Sequence, residues 1–256
     1  MEAKWLINPD YANLEASVAL AKKYGAAFEY NDFFYQEVYT SEEEVEKHMQ
    51  SYFELNRDRG QDMLHGVFMD IVPTSRDEYI RDYARKRMEE SVLIAERMEL
   101  KGVVFHTGLI GGLRLDSYVE HWVTEMAVFL RTLLKKHPSV CICMENSFET
   151  SPDELLMLMN RTWDCERLKL CLDYGHAALS KTPVDEWFCK CSERLGHIHL
   201  NDNDLINDLH MAPGTGAIDF TKFKMLYEKY GKNVPILLEV TGSDKQEKAL
   251  SFMKKL

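Results

Sequence analysis

The sequence predicts a single (β/α)8 TIM barrel, an α/β fold spanning residues 1–256 as one domain. Three observations carry this. The length of 256 residues matches the roughly 250 typical of such barrels. Short apolar runs alternate with longer stretches of helical periodicity through the whole chain. No linker or low-complexity run interrupts the alternation, as the join to a second domain would. A doubly wound sheet would instead call for a Gly-rich phosphate loop after an early strand. Gly108 and Gly111-Gly112 are the nearest approach, and they do not fit G-x-G-x-x-G.

In chain order, a strand over Lys4–Asn8 precedes a helix over Asn13–Tyr24, whose apolar face is Leu14, Val18, Leu20 and Ala21. A strand at Ala27–Tyr30 leads to a helix at Glu42–Asp58 with Val45, Met49, Tyr52 and Leu55 in register. The third strand is expected over Met63–Asp70. The long charged helix Asp77–Leu100 after it stops at Lys101-Gly102, a helix-ending pair. Gly102–His106 and Leu115–Lys136 follow, the latter closed by His137-Pro138. The last four units pair Val140–Glu145 with Asp153–Met159, Lys169–Asp173 with Val184–Leu195, Gly196–Leu200 with Phe220–Tyr230, and Pro235–Glu239 with Ser243–Lys255. Ser151-Pro152 and Thr182-Pro183 read as an N-cap followed by proline at the first helical position. Most strands lack polar alternation, as expected for strands covered on both faces.

Composition narrows the function classes. Apolar residues make up 45% and charged residues 29%, an ordinary globular balance. No window approaches the ~20 apolar residues of a membrane span, and the first residues lack the basic-then-apolar pattern of a secretory signal. The net charge of −11 and the lack of a basic run do not favour a protein that tracks nucleic-acid phosphates. Cys141, Cys143, Cys165, Cys171, Cys189 and Cys191 include two C-x-C pairs and no C-x-x-C, and read as reduced packing residues of a cytoplasmic protein.

Barrel chemistry gathers where strands end, because strand ends and the loops after them line one mouth. Strand three carries His65 and strand four ends in His106. Strand five ends in Glu145, and strand six in Asp173 with His176 just beyond. Strand seven carries His199, with Asp208 and His210 in its loop, and strand eight ends in Glu239. Each follows apolar residues that gain nothing from a charged neighbour. An isolated buried carboxylate costs several kcal/mol unless paired or bound to metal. Three converging on one mouth call for a divalent cation, and mixed imidazole and carboxylate donors suit zinc, manganese or iron better than magnesium or calcium. His197 reads as a residue of the barrel interior. His48, His121 and His137 read as surface histidines on helices or a helix end. Arg114, in a rim loop, is a candidate phosphate contact, with a solvated arginine as the alternative.

These residues resemble the superfamily that joins endonuclease IV to the xylose isomerase-like sugar isomerases and epimerases. The resemblance covers almost the whole chain. Its most specific pieces are Asp173-x-x-His176, His199-Leu-Asn-Asp202, Asp208-x-His210 with Gly214-x-Gly216, and the strand-end Glu145 and Glu239. It implies a metal core of Glu145, Asp173, His199 and Glu239. In the isomerase branch this core holds one manganese-like ion that grips adjacent substrate oxygens. Glu145 and Glu239 then move a proton at the substrate carbon, and His176 hydrogen-bonds the substrate.

Endonuclease IV resembles the same core with five more ligands, which fall here on His65, His106, His176, Asp208 and His210. That branch holds three zinc ions and cleaves phosphodiesters. The chain departs from both patterns. His210 stands where the epimerases commonly have arginine. The rim loops between Glu145 and Asp173, between His176 and His199, and between His199 and Asp208 are shorter than those with which endonuclease IV grips DNA. The acidic loop after strand two lacks the arginine that enters DNA. Phe33, Phe34 and Phe68 are candidate substrate contacts, suited to packing on a sugar ring. The resemblance therefore implies a divalent-metal isomerase or epimerase of a small sugar or sugar phosphate, with one to three zinc or manganese ions per chain. The alternative it leaves open is a trinuclear zinc phosphoester hydrolase acting on abasic-site DNA or a smaller phosphoester.

Overall fold

The structure, a computed structural model, describes residues 1–113 and 115–256. Arg114 lies outside the described residues. Eight strands form a closed parallel barrel in sequential order: β1 (Trp5–Ile7), β2 (Ala27–Tyr30), β3 (Met63–His65), β4 (Gly102–His106), β5 (Cys141–Glu145), β6 (Leu168–Asp173), β7 (Leu195–Leu200) and β8 (Ile236–Leu238). The ring closes where Leu6 of β1 pairs with Leu237 of β8.

Side-chain direction alternates along a strand, so every strand sends one set of residues into the lumen and the other toward the helices. The lumen set packs as its own small apolar cluster of Leu6, Met63, Val104, Cys143, Cys171 and Leu237. Two residues further along four of these strands, the same parity reaches His65, His106, Glu145 and Asp173. Neighbouring strands pair His106 with Glu145 and Asp173 with His199, which brings these side chains to one level of the barrel. The opposite parity, including Ile7, Leu64, Phe105, Met144, Leu172, Ile198 and Leu238, joins the large core beneath the helices.

The outer layer consists of α1 (Leu14–Tyr24), α2 (Gln36–Tyr39), α3 (Glu42–Phe53), α4 (Glu78–Arg97), α5 (Asp116–Lys136), α6 (Asp153–Arg161), α7 (Tyr174–Leu179), α8 (Val184–Cys191), α9 (Phe220–Leu226) and α10 (Ser243–Lys255). Side chains cap several of them: Asn13 on α1, Ser41 on α3, Asp77 on α4 and Asp219 on α9. Each satisfies a backbone N–H that the first turn leaves without a partner. No described helix is long and apolar enough to cross a membrane.

Several elements differ from the sequence expectation. β3 ends at His65 and does not continue to Asp70. Gly66 packs against the Phe105 ring so closely that a Cβ would lie 2.2 Å from it, and the chain then turns through Asp70 at φ +58°. Pro152 and Pro183 occupy the N-cap position of α6 and α8, one place before the first helical residue. After α9 the chain makes a wider turn over Tyr227–Gly231. α2 and α7 lie in stretches expected to be loop. Two histidines expected at the surface are buried. His48 stacks on Tyr11 with ring centroids 3.8 Å apart, and His137 lies 2.7 Å from Glu96 through Nδ1. His121 is partly buried, its Nε2 2.9 Å from the Thr74 carbonyl. All six cysteines are free thiols.

Candidate metal centre at the barrel mouth

Glu145 is the hub. Its carboxylate is wholly buried and faces imidazoles on both sides. Oε2 stands 3.5 Å from His65 Nε2 and 3.4 Å from His106 Nε2. Oε1 stands 3.2 Å from His199 Nδ1 and 3.8 Å from His176 Nδ1. His199 Nδ1 also lies 3.5 Å from Glu239 Oε2. Glu239 Oε2 in turn lies 3.5 Å from His210 Nδ1. Asp208 completes the circuit, 3.2 Å from His210 through Oδ1 and 3.2 Å from His176 through Oδ2. With Asp173 Oδ1 3.7 Å from His176 Nδ1, the structure brings all nine candidate ligands into one chain of facing donor atoms.

Asp173, the ninth, is held differently. One oxygen accepts the His176 backbone N–H at 2.6 Å, capping α7, and the other accepts from Asn201 Nδ2 at 3.0 Å. Asn146 clamps the same residue's backbone from both sides, at 2.8 and 3.0 Å. The short helix α7 therefore has a plain purpose. It starts on Asp173 and turns His176 back over the mouth, where Nδ1 lies 2.8 Å from the Asn146 carbonyl. Asp202 does not face the centre. Its carboxylate accepts backbone N–H groups from Asn203, Gly214, Gly216 and Ile218 and so fixes the loop that carries Asp208 and His210. Gly216 allows this approach, since a Cβ there would lie 2.4 Å from the Asn203 carbonyl oxygen.

Several atoms in this circuit have no partner. Both Glu145 oxygens, both His199 ring nitrogens and Glu239 Oε2 are buried without a hydrogen bond. Each such group costs on the order of 1–3 kcal/mol when left unsatisfied. Tetrahedral zinc with bonds of about 2.0–2.1 Å sets its ligand atoms roughly 3.3 Å apart. The facing pairs among His65, His106 and Glu145, among Glu145, His199 and Glu239, and among His176, Asp208 and His210 stand 3.2–3.5 Å apart. The groups His65–His106–Glu145, His65–His199–Glu239 and His176–Asp208–His210 each place their donor atoms within 4.8 Å of one another. The donor chemistry and the spacing both fit a divalent ion.

Electrostatics points the same way. Burial alone would raise the Glu145 and Glu239 carboxyls, but the facing imidazoles outweigh it. They hold Glu145 well below the carboxylate range and Glu239 down to about 2. Burial pushes Asp173 up to about 7, opposed by His176 and reinforced by the negative charges of Glu239 and Glu145. His106 is driven down to about 4 by burial. For His210, burial is overcome by the bond to Asp208 and the charge of Glu239, which lift it to about 9.

Above the centre opens a cavity of about 280 Å³ walled by Phe34, Phe68, Phe148, Asn8, Asn31 and Thr241, with His65, His106, His176, Asp208, His210 and Glu239 at its floor. Phe68 stacks on His106 at 4.4 Å between centroids, and Phe34 meets Phe68 edge-on at 5.1 Å. Phe33 is not in this wall. It is fully buried beneath the rim, against His48 and Tyr52. The tight turn Asp32–Phe34 sends the two adjacent rings in different directions. Phe148, three residues past Glu145, was not among the sequence candidates. It is 67% exposed with its ring 6.2 Å from His176, and its place just past a strand end was the available signal. Glu29 was also missed, although its strand parity directs it into the lumen.

Residues 18–256 match the profile of the xylose isomerase-like TIM barrel. The chain belongs to that family. An uncharacterized protein of Methanocaldococcus jannaschii is 28% identical over 201 residues, covering 75% of this chain and 76% of its own. Among solved structures, a Thermus thermophilus protein soaked with ZnCl2 superposes with a TM-score of 0.78 at 21% identity, covering 100% of this chain and 97% of its own. A D-tagatose 3-epimerase-like protein also gives a TM-score of 0.78 at 21% identity, over 98% of this chain and 96% of its own. At these identities the two structures establish the shared fold.

Proposed function

We propose that this mouth is a divalent-metal centre that isomerises or epimerises a small sugar. The observation that carries the proposal is the pair Glu145 and Glu239. Facing imidazoles hold both carboxyls low, both face His199 Nδ1, and Glu239 lines a small aromatic-walled cavity. The core ligands are Glu145, Asp173, His199 and Glu239, and His65, His106, His176, Asp208 and His210 are available for further ions. A divalent ion bound there supplies Lewis-acid polarisation of a substrate oxygen.

The protein's own groups do the rest. Glu239 lines the cavity and is the carboxylate positioned to take a proton from the carbon beside a carbonyl. Glu239 then carries that proton and can return it to the neighbouring carbon. For return to the opposite face Glu145, which also starts ionised, would first take up a proton from water. An ionised carboxylate is the competent form for abstraction, and the low pKa of each keeps it ionised at neutral pH. His176 is pinned through Nδ1 at the Asn146 carbonyl and meets Asp208 through Nε2 at the cavity floor, where a substrate hydroxyl would replace the Asp208 contact. Phe34 and Phe68 pack on the sugar's apolar face and exclude water. The similarity to a D-tagatose 3-epimerase-like structure supports the same substrate class.

One observation favours a second reading. The trio His176–Asp208–His210 has ligand spacing of its own, and Glu145 offers one oxygen to each of two neighbouring groups. A trinuclear zinc centre hydrolysing a phosphoester would use all of these. The two readings separate in one experiment. The metal-loaded protein is incubated with ketohexoses and ketopentoses in D2O and followed by proton NMR, alongside phosphodiester and phosphomonoester substrates. Deuterium entering the carbon beside the carbonyl supports the isomerase reading. Phosphoester cleavage with no exchange overturns it in favour of the hydrolase.

A further inference from the structure

Glu29 stands outside the scheme above. It neither lines the cavity nor belongs to the circuit of rim ligands, yet it is a wholly buried carboxylate in the barrel lumen. It projects from β2 toward β7, on the far side of the barrel. His197 and His199 lie two residues apart on β7 and so share its inward face. Glu29 Oε2 accepts a hydrogen bond from His197 Nε2 at 2.7 Å. Glu29 Oε1 stands 3.0 Å from His199 Nε2, off the line of the ring N–H.

His199 is therefore flanked by carboxylates on both edges. Nε2 faces Glu29, and Nδ1 faces Glu145 at 3.2 Å and Glu239 at 3.5 Å. A neutral imidazole has one N–H and one lone pair, so it can donate to only one side. Two carboxylates meet at the rim, where a cation is needed. On the lumen side Glu29 has no described cation beside it, only the two rings. We infer that Glu29 is a positioning residue that keeps the His199 proton on Nε2 and so directs the Nδ1 lone pair to the metal centre, with His197 tethering the carboxylate in place. A carboxylate behind a metal-binding histidine fixes the ring's tautomer and orientation and raises its basicity, and losing such a partner typically lowers metal affinity 10- to 100-fold.

The inference rests on the metal centre proposed above, and the test separates the two. Zinc affinity is measured by competition with a chromophoric chelator for the wild-type chain and for Glu29→Leu, which is similar in size and removes both acceptor oxygens. The expected result is a 10- to 100-fold weaker affinity in the variant. Nitrogen-15 NMR of the metal-free wild type reads the ring directly, before any ion fixes its tautomer, and needs no variant, which covers the case in which Glu29→Leu does not fold. His199 is expected to carry its proton on Nε2. A proton on Nδ1, or equal zinc affinity in the wild type and a folded Glu29→Leu, overturns the inference and leaves the metal centre standing. A wild-type chain that takes up no zinc overturns both.

Discussion

Gly175→Ala separates local propensity from the packing of the site. Gly175 lies within α7, at a position with no positive φ. By helix propensity alone, alanine there would stabilise the fold by about 0.5–1 kcal/mol. The structure predicts the opposite sign. A Cβ on Gly175 would lie 2.0 Å from Asn201 Oδ1 and 2.8 Å from its Cγ. Asn201 is fully buried, and its Nδ2 holds Asp173 Oδ2 at 3.0 Å. The amide must rotate away. Overpacking of this kind costs about 1–3 kcal/mol, and a lost hydrogen bond to a charged group costs about 1.5–3 kcal/mol. The net expectation is a destabilisation of roughly 2–5 kcal/mol after the propensity gain, which for a chain of this size lowers Tm by roughly 5–15 °C. Chemical denaturation in excess chelator measures it without contribution from metal. The double variant Gly175→Ala, Asn201→Ala should be less destabilised than the sum of its parts, because the second change removes the clash. A Gly175→Ala protein as stable as the wild type, or more stable, would refute the packing argument.

The site supports three further predictions. Glu145→Gln and Glu239→Gln should each lower turnover at least about 10²-fold, the scale of a lost acid–base group; steady-state assays on the substrate found by isotope exchange check this, and full activity in either variant would remove the proton-transfer assignment. His210→Ala should release the ion held with His176 and Asp208 while leaving the Glu145 centre loaded; elemental analysis reads the difference, and unchanged metal content argues against a third ion. Burial raises the Glu149 carboxyl, against the opposing hydrogen bond from Thr107. A raised carboxyl pKa adds stability that is present below the ordinary value near 4.5 and is lost as pH climbs through the folded-state value. Glutamine does not titrate, so the stability of the wild type relative to Glu149→Gln should fall as pH rises from about 4.5. Denaturation midpoints measured across that range check the sign.

The barrel was legible because its strands are buried on both faces. Apolar runs such as Val103–Phe105 and Ile236–Leu238 leave little room for another reading. The rim ligands were legible for the complementary reason, since a charged residue closing an apolar run has no packing role. Glu29 escaped because β2 is short and its glutamate sits between two aromatic residues, where nothing local marks it as inward-facing. Its partner His197 lies 168 positions further along the chain, with His199 just beyond, and only ring closure brings them across the lumen. Phe33 and Phe34 were indistinguishable by composition, and the turn geometry decides which ring reaches the cavity. His48 and His137 looked like surface residues because their partners, Tyr11 and Asp32 for one and Glu96 for the other, come from other elements.

The central claim is that facing imidazoles and carboxylates at the mouth hold divalent metal. Metal content per chain, measured by elemental analysis on protein stripped with chelator and then exposed to zinc or manganese, tests it most directly. The account predicts at least one tightly held ion per wild-type chain and a loss of that ion in His199→Ala. One ion fits the isomerase core, and three fit the trinuclear reading. A folded wild-type chain that returns no stoichiometric metal contradicts the account.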